Sequence, residues 1–247
     1  MNLTVKPNPN KHTHIRKPDF EDLYIGVRQQ EKRMYTDEQL MNLPEIDSLH
    51  VYSNEWKIRK RSAERLIAYL QRKRRNLRIL EVGCGNGWLS AKMAALSNTK
   101  VTGLDINQIE IAQANRVFKT DNLDFIYDTF NDSTFEKEKF DVIVFAASIQ
   151  YFPSLINVLN QALAILNERG EIHIIDTPFY DALGASEADQ RSRNYYTALG
   201  FPEMADHYYH HSLSEFWGFK YRELFNPDKI FNRLFRKDPF YWIAIRK

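Results

Sequence analysis

Arg78-Ile-Leu-Glu-Val-Gly-Cys-Gly-Asn-Gly-Trp-Leu-Ser90 is the stretch that decides the fold. An apolar strand, Ile79 to Val82, runs into a turn with glycine at 83, 85 and 87, and the turn opens a helix. Glycine tolerates positive φ and leaves no Cβ between the backbone and a ligand. The helix that follows begins with free N–H groups aimed at whatever sits in the turn. An α/β sheet builds a nucleotide pocket in this way, at the carboxyl end of its first strand. A dinucleotide fingerprint asks for G-x-G-x-x-G or a final Ala. Here the sixth position, counted from Gly83, is Trp88, too bulky for that close helix–strand packing.

The next strand, Lys100-Val-Thr-Gly-Leu-Asp105, ends in an acid about 20 residues after the glycines, as a βαβ unit requires, and a helix is predicted over Asn107 to Phe118. With Glu81-Val-Gly83-Cys-Gly85-Asn-Gly87 before it, the chain resembles the class I S-adenosylmethionine-dependent methyltransferases, most closely the small-molecule branch called type 11. Their first motif reads E/D-x-G-x-G-x-G. The resemblance implies an α/β, Rossmann-like fold with a mostly parallel seven-stranded sheet and an antiparallel last strand, S-adenosyl-L-methionine as cofactor, and methyl transfer to a small molecule. It covers about Leu77 to Lys247 in architecture and is specific over Arg78 to Tyr151. It implies that Glu81, Gly83, Cys84, Gly85 and Gly87 hold the cofactor. Asp105, with Ile106 beside it, takes the ribose hydroxyls, since an ionised carboxylate is acceptor-only and suits a diol. A third strand, Leu123 to Asp128, delivers Asp128 to the adenine amino group, with Thr129 and Phe130 flanking the ring. A fourth, Lys139 to Ala147, is apolar enough to be buried on both faces and sets Phe145 and Ala146 near the cofactor. Ser148, Gln150 and Tyr151 follow as candidates for orienting the acceptor. The family often has a histidine near 150–152 and this chain has none, so no catalytic base is assigned.

The chain has 247 residues, 43% hydrophobic and 27% charged, as in ordinary globular proteins. Its 34 basic and 32 acidic residues leave a formal charge of +2, which argues against a broad nucleic-acid face. No apolar run reaches membrane-span length, and the first residues have no signal-peptide core. The single cysteine, Cys84, excludes an internal disulfide and fits a cytoplasmic location. Residues 1–18 read as a flexible arm and 19–76 as a helical extension or cap. Within it Thr36-Asp-Glu-Gln39 is a capping box, and a long helix between His50 and Arg75 carries the stripe Ala63, Leu66, Ile67 and Leu70. Its basic face is read as solvated. His50, Tyr52 and Trp56 are candidates for a lid over the pocket.

Residues 77–247 form the expected cofactor-binding domain, with an insertion at 177–219. Leu155 to Leu166 reads as a helix closed by Asn167-Glu-Arg-Gly170, then Glu171 to Asp176 as a strand with His173 as a hydrogen-bonded core residue. The insertion holds a helix over Asp181 to Leu199 and a second capping box, Ser212 to Glu215. An insertion there lies beside the carboxyl ends of the strands, so Tyr208 and His211 are acceptor-pocket candidates. His207, His210 and His211 with Asp206 match no standard zinc spacing, and no metal is expected. Two strands, Lys220 to Phe225 and Pro239 to Arg246, complete the sheet. Three other readings stay open: an NAD(P)-dependent oxidoreductase, a non-catalytic partner-binding module of the same fold, and a macromolecular acceptor such as RNA or a protein engaged through the basic helix.

Overall fold

The computed structural model describes residues 19–247 except 132–133, 136–137, 231 and 233–237; the expected arm at 1–18 lies outside the described residues. Seven strands form one sheet: β1 (Leu77–Val82), β2 (Thr99–Asp105), β3 (Leu123–Tyr127), β4 (Phe140–Ala146), β5 (Leu166–Ile175), β6 (Lys220–Phe225) and β7 (Trp242–Arg246). Their order is β3-β2-β1-β4-β5-β7-β6. β1 to β5 are parallel, and β7 runs antiparallel between β5 and β6. The sequence expectation of a mostly parallel seven-stranded sheet with an inserted antiparallel last strand is met. The order reverses direction at β1, so β1 and β4 part their connections there and leave a crevice at their carboxyl ends.

Strand alternation builds a core on each face. Leu80, Val82, Ile143, Phe145, Ile172 and Ile174 point to one side, against Leu155, Val158, Leu159 and Ala162 of α6 (Leu155–Ala164). Ile79, Val142, Val144 and Ile175 point to the other. There they meet Leu66 and Leu70 of α3 (Ser53–Gln71), and Leu89 and Met93 of α4 (Trp88–Ala94). Each such side chain, fully buried, contributes roughly 1.5–3 kcal/mol. Trp88 is absorbed by this packing: its ring meets Trp56 edge-on, with centroids 5.3 Å apart.

A third, smaller core lies apart from these two. α1 (Asp19–Gln30) brings Phe20, Leu23, Tyr24 and Val27 against Tyr196 of α7 (Ala182–Leu199) and Met204, Ala205 and Tyr208 beyond it. α1 is tied down by polar contacts as well. Glu21 accepts from the backbone N–H of Gln108, at the start of α5 (Gln108–Val117), and from the Tyr127 hydroxyl. Just past α1, Arg33 grips Glu55 of α3 with two bonds of 2.7 and 2.6 Å.

Local signals hold where side chains satisfy helix ends. Thr36 and Gln39 form the expected capping box of α2 (Asp37–Asn42). Asp181 caps α7, and Gly200 ends it in the left-handed conformation. The Ser212–Glu215 box is present but opens a short 3-10 turn. One expectation is corrected. Gly170 does not stop α6; that helix ends at Ala164, and Leu166 to Gly170 already belong to β5. The Phe140 N–H bonds the Ile165 carbonyl and Leu166 pairs with Phe140, so sheet pairing captures the segment.

Candidate active site

The β1 turn is shaped by three consecutive demands. Gly83, Gly85 and Gly87 all have positive φ, 72°, 52° and 77°. A Cβ on Gly83 would lie 2.5 Å from Cβ of Ser148, and one on Gly87 would lie 2.4 Å from the Phe125 ring. These two glycines are therefore required by neighbouring protein atoms and by backbone conformation together. Between them Gly85 donates its N–H to Asp105 Oδ2 at 2.7 Å. Asp105 Oδ1 accepts from Asn107 N–H at 2.8 Å. Asp105 also lines the first of two cavities at this end of the sheet, and a carboxylate has about four acceptor sites in all.

Two cavities open at the carboxyl ends of the strands. The first, ≈ 420 Å³, is lined by Leu104, Asp105, Ile106, Asp128, Thr129 and Phe130 on one side and by Ser148, Phe152, Phe20 and Glu21 on the other. The second, ≈ 770 Å³, is lined by Glu81, Cys84 and Asn86 of the turn, and by Ala146, Gln150, Asp176, Trp56 and Tyr208. Gly83, Tyr24, Ala147 and Tyr151 line both, so the two cavities meet over the glycine turn. Ala147 and Asp176, which follow β4 and β5, both take positive φ, 52° and 56°. Backbone held in this region by a non-glycine residue stores strain and clusters at functional sites.

Electrostatics differ between the cavities. Burial pushes Glu81 up to about 8, against the pull of the Ser90 hydroxyl, which donates to Oε2. Burial likewise pushes Glu110 up to about 7, opposed by Arg28, and Asp176 up to about 6, opposed by Arg59 and Ser62. Ser62 Oγ donates to Asp176 Oδ1 at 2.5 Å. Asp105 is also raised by burial, with backbone N–H groups of Gly85, Asn107 and Ile106 working against it. The buried Cys84 thiol is pushed well up, chiefly by burial.

The expected cofactor residues thus divide. Asp105, Ile106, Asp128, Thr129 and Phe130 gather in the first cavity, and Glu81, Cys84 and Ala146 in the second, with Gly83 at the seam. Gly85 and Gly87 stand behind the turn, and Phe145 is wholly buried in the core, so none of the three lines either cavity. Ser148 lines the first cavity and donates to the Val82 carbonyl at 2.6 Å. Gln150, Tyr151, Trp56 and Tyr208 do line the second cavity. Tyr52 and His211 line neither. The Tyr52 hydroxyl donates to the Glu31 carbonyl under the Arg33 guanidinium, and His211 is buried with Nε2 3.2 Å from the Ile149 carbonyl. His173 is a core residue, as expected, accepting from Trp242 Nε1 at 3.1 Å. No group of three or more metal-ligating side chains occurs among the described residues.

Sequence reasoning missed Tyr24 and Arg28 of α1, Arg59 of α3, Glu110 of α5 and Asp176. A signal existed for the first: Phe20, Leu23, Tyr24 and Val27 recur at helical spacing. Asp176 carried one too, at the carboxyl end of the fifth strand; for Arg59 and Glu110 the tertiary fold alone brings the side chain to the cavity.

Known proteins resemble this chain in sequence and in fold. Among curated relatives, a 27-O-demethylrifamycin SV methyltransferase of Amycolatopsis mediterranei is 29% identical over 116 residues, 45% of this chain and 43% of that protein. A malonyl-[acyl-carrier protein] O-methyltransferase of Ilyobacter polytropus is 29% identical over 123 residues, 49% and 46%. The chain spans less than half the length of either relative. Among solved structures, the magnesium protoporphyrin IX methyltransferase of Synechocystis PCC 6803 with bound SAH has a TM-score of 0.58 at 14% identity, over 93% of this chain and all of that one. The plantazolicin methyltransferase BpumL in complex with SAH has a TM-score of 0.54 at 17% identity, over 93% and 97%. Both show the same fold. The sequence profile of the methyltransferase-domain family matches residues 73–229, from the end of α3 through β6, and the chain belongs to that family.

Proposed function

We propose that this chain transfers a methyl group from S-adenosylmethionine to a small-molecule acceptor. The observation that carries the reading is the pair of cavities meeting over Gly83: one lined by the acids and rings that suit an adenosine, the other opening from the glycine turn toward aromatic walls. The residues present fit the cofactor. Asp105 offers acceptor sites to a ribose diol, Asp128, Thr129 and Phe130 border the space for a base, and Glu81 is a buried carboxyl beside the turn where a cationic amino-acid end would lie.

The cofactor supplies an activated methyl group on a sulfonium, so transfer is an in-line displacement in which the protein contributes alignment and a dry site. Tyr24 and Tyr151 line both cavities. Aromatic faces attract a sulfonium by cation–π interaction. Gln150 is held by Thr177, whose hydroxyl donates to Oε1 at 3.1 Å, and its own Nε2 donates to the Ala147 carbonyl at 2.7 Å. It therefore shapes the wall rather than moving a proton. Asp176, a carboxyl with one oxygen tied to Ser62, is the group placed to accept a proton from an acceptor that must lose one.

In this reading residues 19–76 are a cap: α1 covers both cavities, contributing Phe20 and Glu21 to the first and Val27 and Arg28 to the second. Residues 177–219 close the acceptor side through Tyr180, Tyr196 and Tyr208. A cytoplasmic location is supported by the single cysteine.

Calorimetry with S-adenosylmethionine, its demethylated product and NADPH in parallel tests the reading. Binding of the first two alone is the expected result. Binding of NADPH alone would replace the reading with the oxidoreductase, and binding of none would favour the non-catalytic module.

A further inference from the structure

Arg28 is a buried cation with no hydrogen-bond acceptor among the described residues. Its side chain is 15% exposed, its nearest carboxylate oxygen, on Glu31, is 3.9 Å away, and its Nε is buried without a partner. It lines the second cavity. The other arginines of that wall are engaged: Arg33 holds Glu55 through two bonds, Arg59 Nε is 3.0 Å from Glu55, and Arg191 lies 3.7 Å from Glu187. Glu31 is itself taken by Arg33 and by the Tyr195 hydroxyl. Glu110 faces Arg28 electrostatically but makes no ion pair with it, and burial favours its neutral form. A buried guanidinium left this way is costly unless an anion completes it.

The groups nearest in influence to Arg28 are Tyr24, Glu110, Arg33 and Tyr151, and none belongs to the glycine turn. Tyr24, Tyr151, Tyr208 and Tyr196, in that order, form a chain of aromatic contacts along this wall, with centroids 5.7, 5.6 and 6.1 Å apart. Their hydroxyls make no hydrogen bond among the described residues, although the rings line the cavity. Tyr151 follows β4, where the acceptor half begins. Val27, Ile58 and Met204 add apolar surface.

We propose that Arg28 and the tyrosine hydroxyls around it anchor a carboxylate on the acceptor, so that the acceptors of this enzyme are flat, largely apolar carboxylic acids. The inference rests on the methyl-transfer reading above and narrows its substrate class. A guanidinium completed by a carboxylate in a dry wall makes charge-assisted bonds about twice as strong as neutral ones. Aromatic rings supply edge and face contacts to a planar body. The cofactor's own carboxylate is a second source of the same chemistry, and the test separates the two.

The probes are 4-hydroxybenzoate and 4-hydroxybenzamide, titrated into the full chain saturated with S-adenosylhomocysteine. The acid should bind at least about tenfold more tightly than the amide, the scale of one hydrogen bond to a charged group. Arg28→Met should erase that preference, and Arg28→Lys should keep part of it. Affinity for S-adenosylhomocysteine should stay within about threefold in both variants, which also reports that they fold. Equal binding of acid and amide to the unsubstituted protein, or binding of neither, overturns the proposal without recourse to a variant. So does an Arg28→Met protein that loses cofactor affinity tenfold while acid binding is unmoved; Arg28 then belongs to the cofactor's carboxylate. If the unsubstituted protein does not bind S-adenosylhomocysteine, the methyl-transfer reading fails. The acid–amide comparison without it then still decides the anion site.

Discussion

The Gly85 N–H donates to Asp105 Oδ2 at 2.7 Å, so the turn after β1 and the end of β2 are fastened to each other by the same carboxylate that borders the first cavity. Asp105 orders the turn, and in the proposed reading it has a second task, accepting from a ribose diol. Asp105→Ala should weaken S-adenosylhomocysteine binding by roughly 1.5–3 kcal/mol, the scale of a hydrogen bond to a charged group. Asp105→Asn keeps an acceptor for the Gly85 N–H but turns its amide NH2 on the Asn107 N–H, so it should lower the melting temperature less than Asp105→Ala while still losing affinity. Calorimetry and thermal melting on the two variants separate the tasks. Unchanged affinity in both would remove the ribose from this position.

Glu81 gives a pH signature. Its carboxyl ordinarily titrates near 4.5 and burial raises it to about 8 in the folded protein. The folded state therefore holds a proton that the unfolded chain has released, and the stability this contributes is complete below about 4.5 and lost as pH rises toward 8. Glu110, raised to about 7, acts in the same direction. The melting temperature of the ligand-free protein should fall between pH 5 and 8, and Glu81→Gln should flatten part of that fall. A cationic ligand end beside Glu81 favours the ionised form. Binding of S-adenosylhomocysteine at pH 7 should then release protons, seen as a binding enthalpy that changes between phosphate and Tris buffers. Glu81→Gln should reduce that buffer dependence.

Gly83 allows a test of why the turn is glycine. A methyl group there would meet Cβ of Ser148 at 2.5 Å, at a residue whose φ is +72°. Gly83→Ala should cost about 1–3 kcal/mol in urea unfolding from the strained backbone alone, and more from the collision. Adding Ser148→Gly removes the collision but leaves the strain, so the double variant should recover only part of the loss. Full recovery would mean that backbone conformation carries none of the cost.

Much of the frame was legible because it is written in local chemistry. Strand, glycine turn, helix and terminal Asp105 succeed one another in sequence, and the capping residues Thr36, Asp181 and Ser212 announce helix starts wherever a side chain satisfies a free N–H. The first cavity inherits this legibility, since most of its residues follow directly on strand ends. The α1 wall of the second does not. Arg28 lies on a helix far from the turn in sequence, and Tyr196 and Tyr208 come from the opposite end of the chain; α1 packing on α7 brings them together. Tyr52 and Phe145 show the converse. Both occupy plausible places in sequence, but one is recruited by the Glu31 carbonyl and Arg33, and strand alternation turns the other into the core.

Glu171 fixes the far end of the sheet and sets the acid limit of stability. It is 2% exposed, on β5, and burial alone would raise it. His173, Lys73, Tyr69 and Arg246 outweigh burial and hold it well below the ordinary carboxylate range. Lys73 Nζ lies 2.6 Å from Oε2, the Tyr69 hydroxyl donates to the same oxygen at 2.8 Å, and Arg246 Nε donates to Oε1 at 2.7 Å. These contacts join the end of α3 to β5 and β7. A carboxylate with a depressed folded value gives stability that is present above the unfolded value near 4.5 and lost as pH falls below it. Glu171→Gln should leave Lys73 and Arg246 without their counterion and lower stability by about 3–5 kcal/mol at pH 7, the usual result of removing one partner of a buried pair. Below about pH 4.5 the gap should narrow by up to about 1.4 kcal/mol per pH unit, because the unfolded chain takes up a proton that folded Glu171 does not. Urea unfolding of both proteins from pH 3 to pH 8 checks this, and a constant gap across that range would show that shape and not charge is what Glu171 contributes.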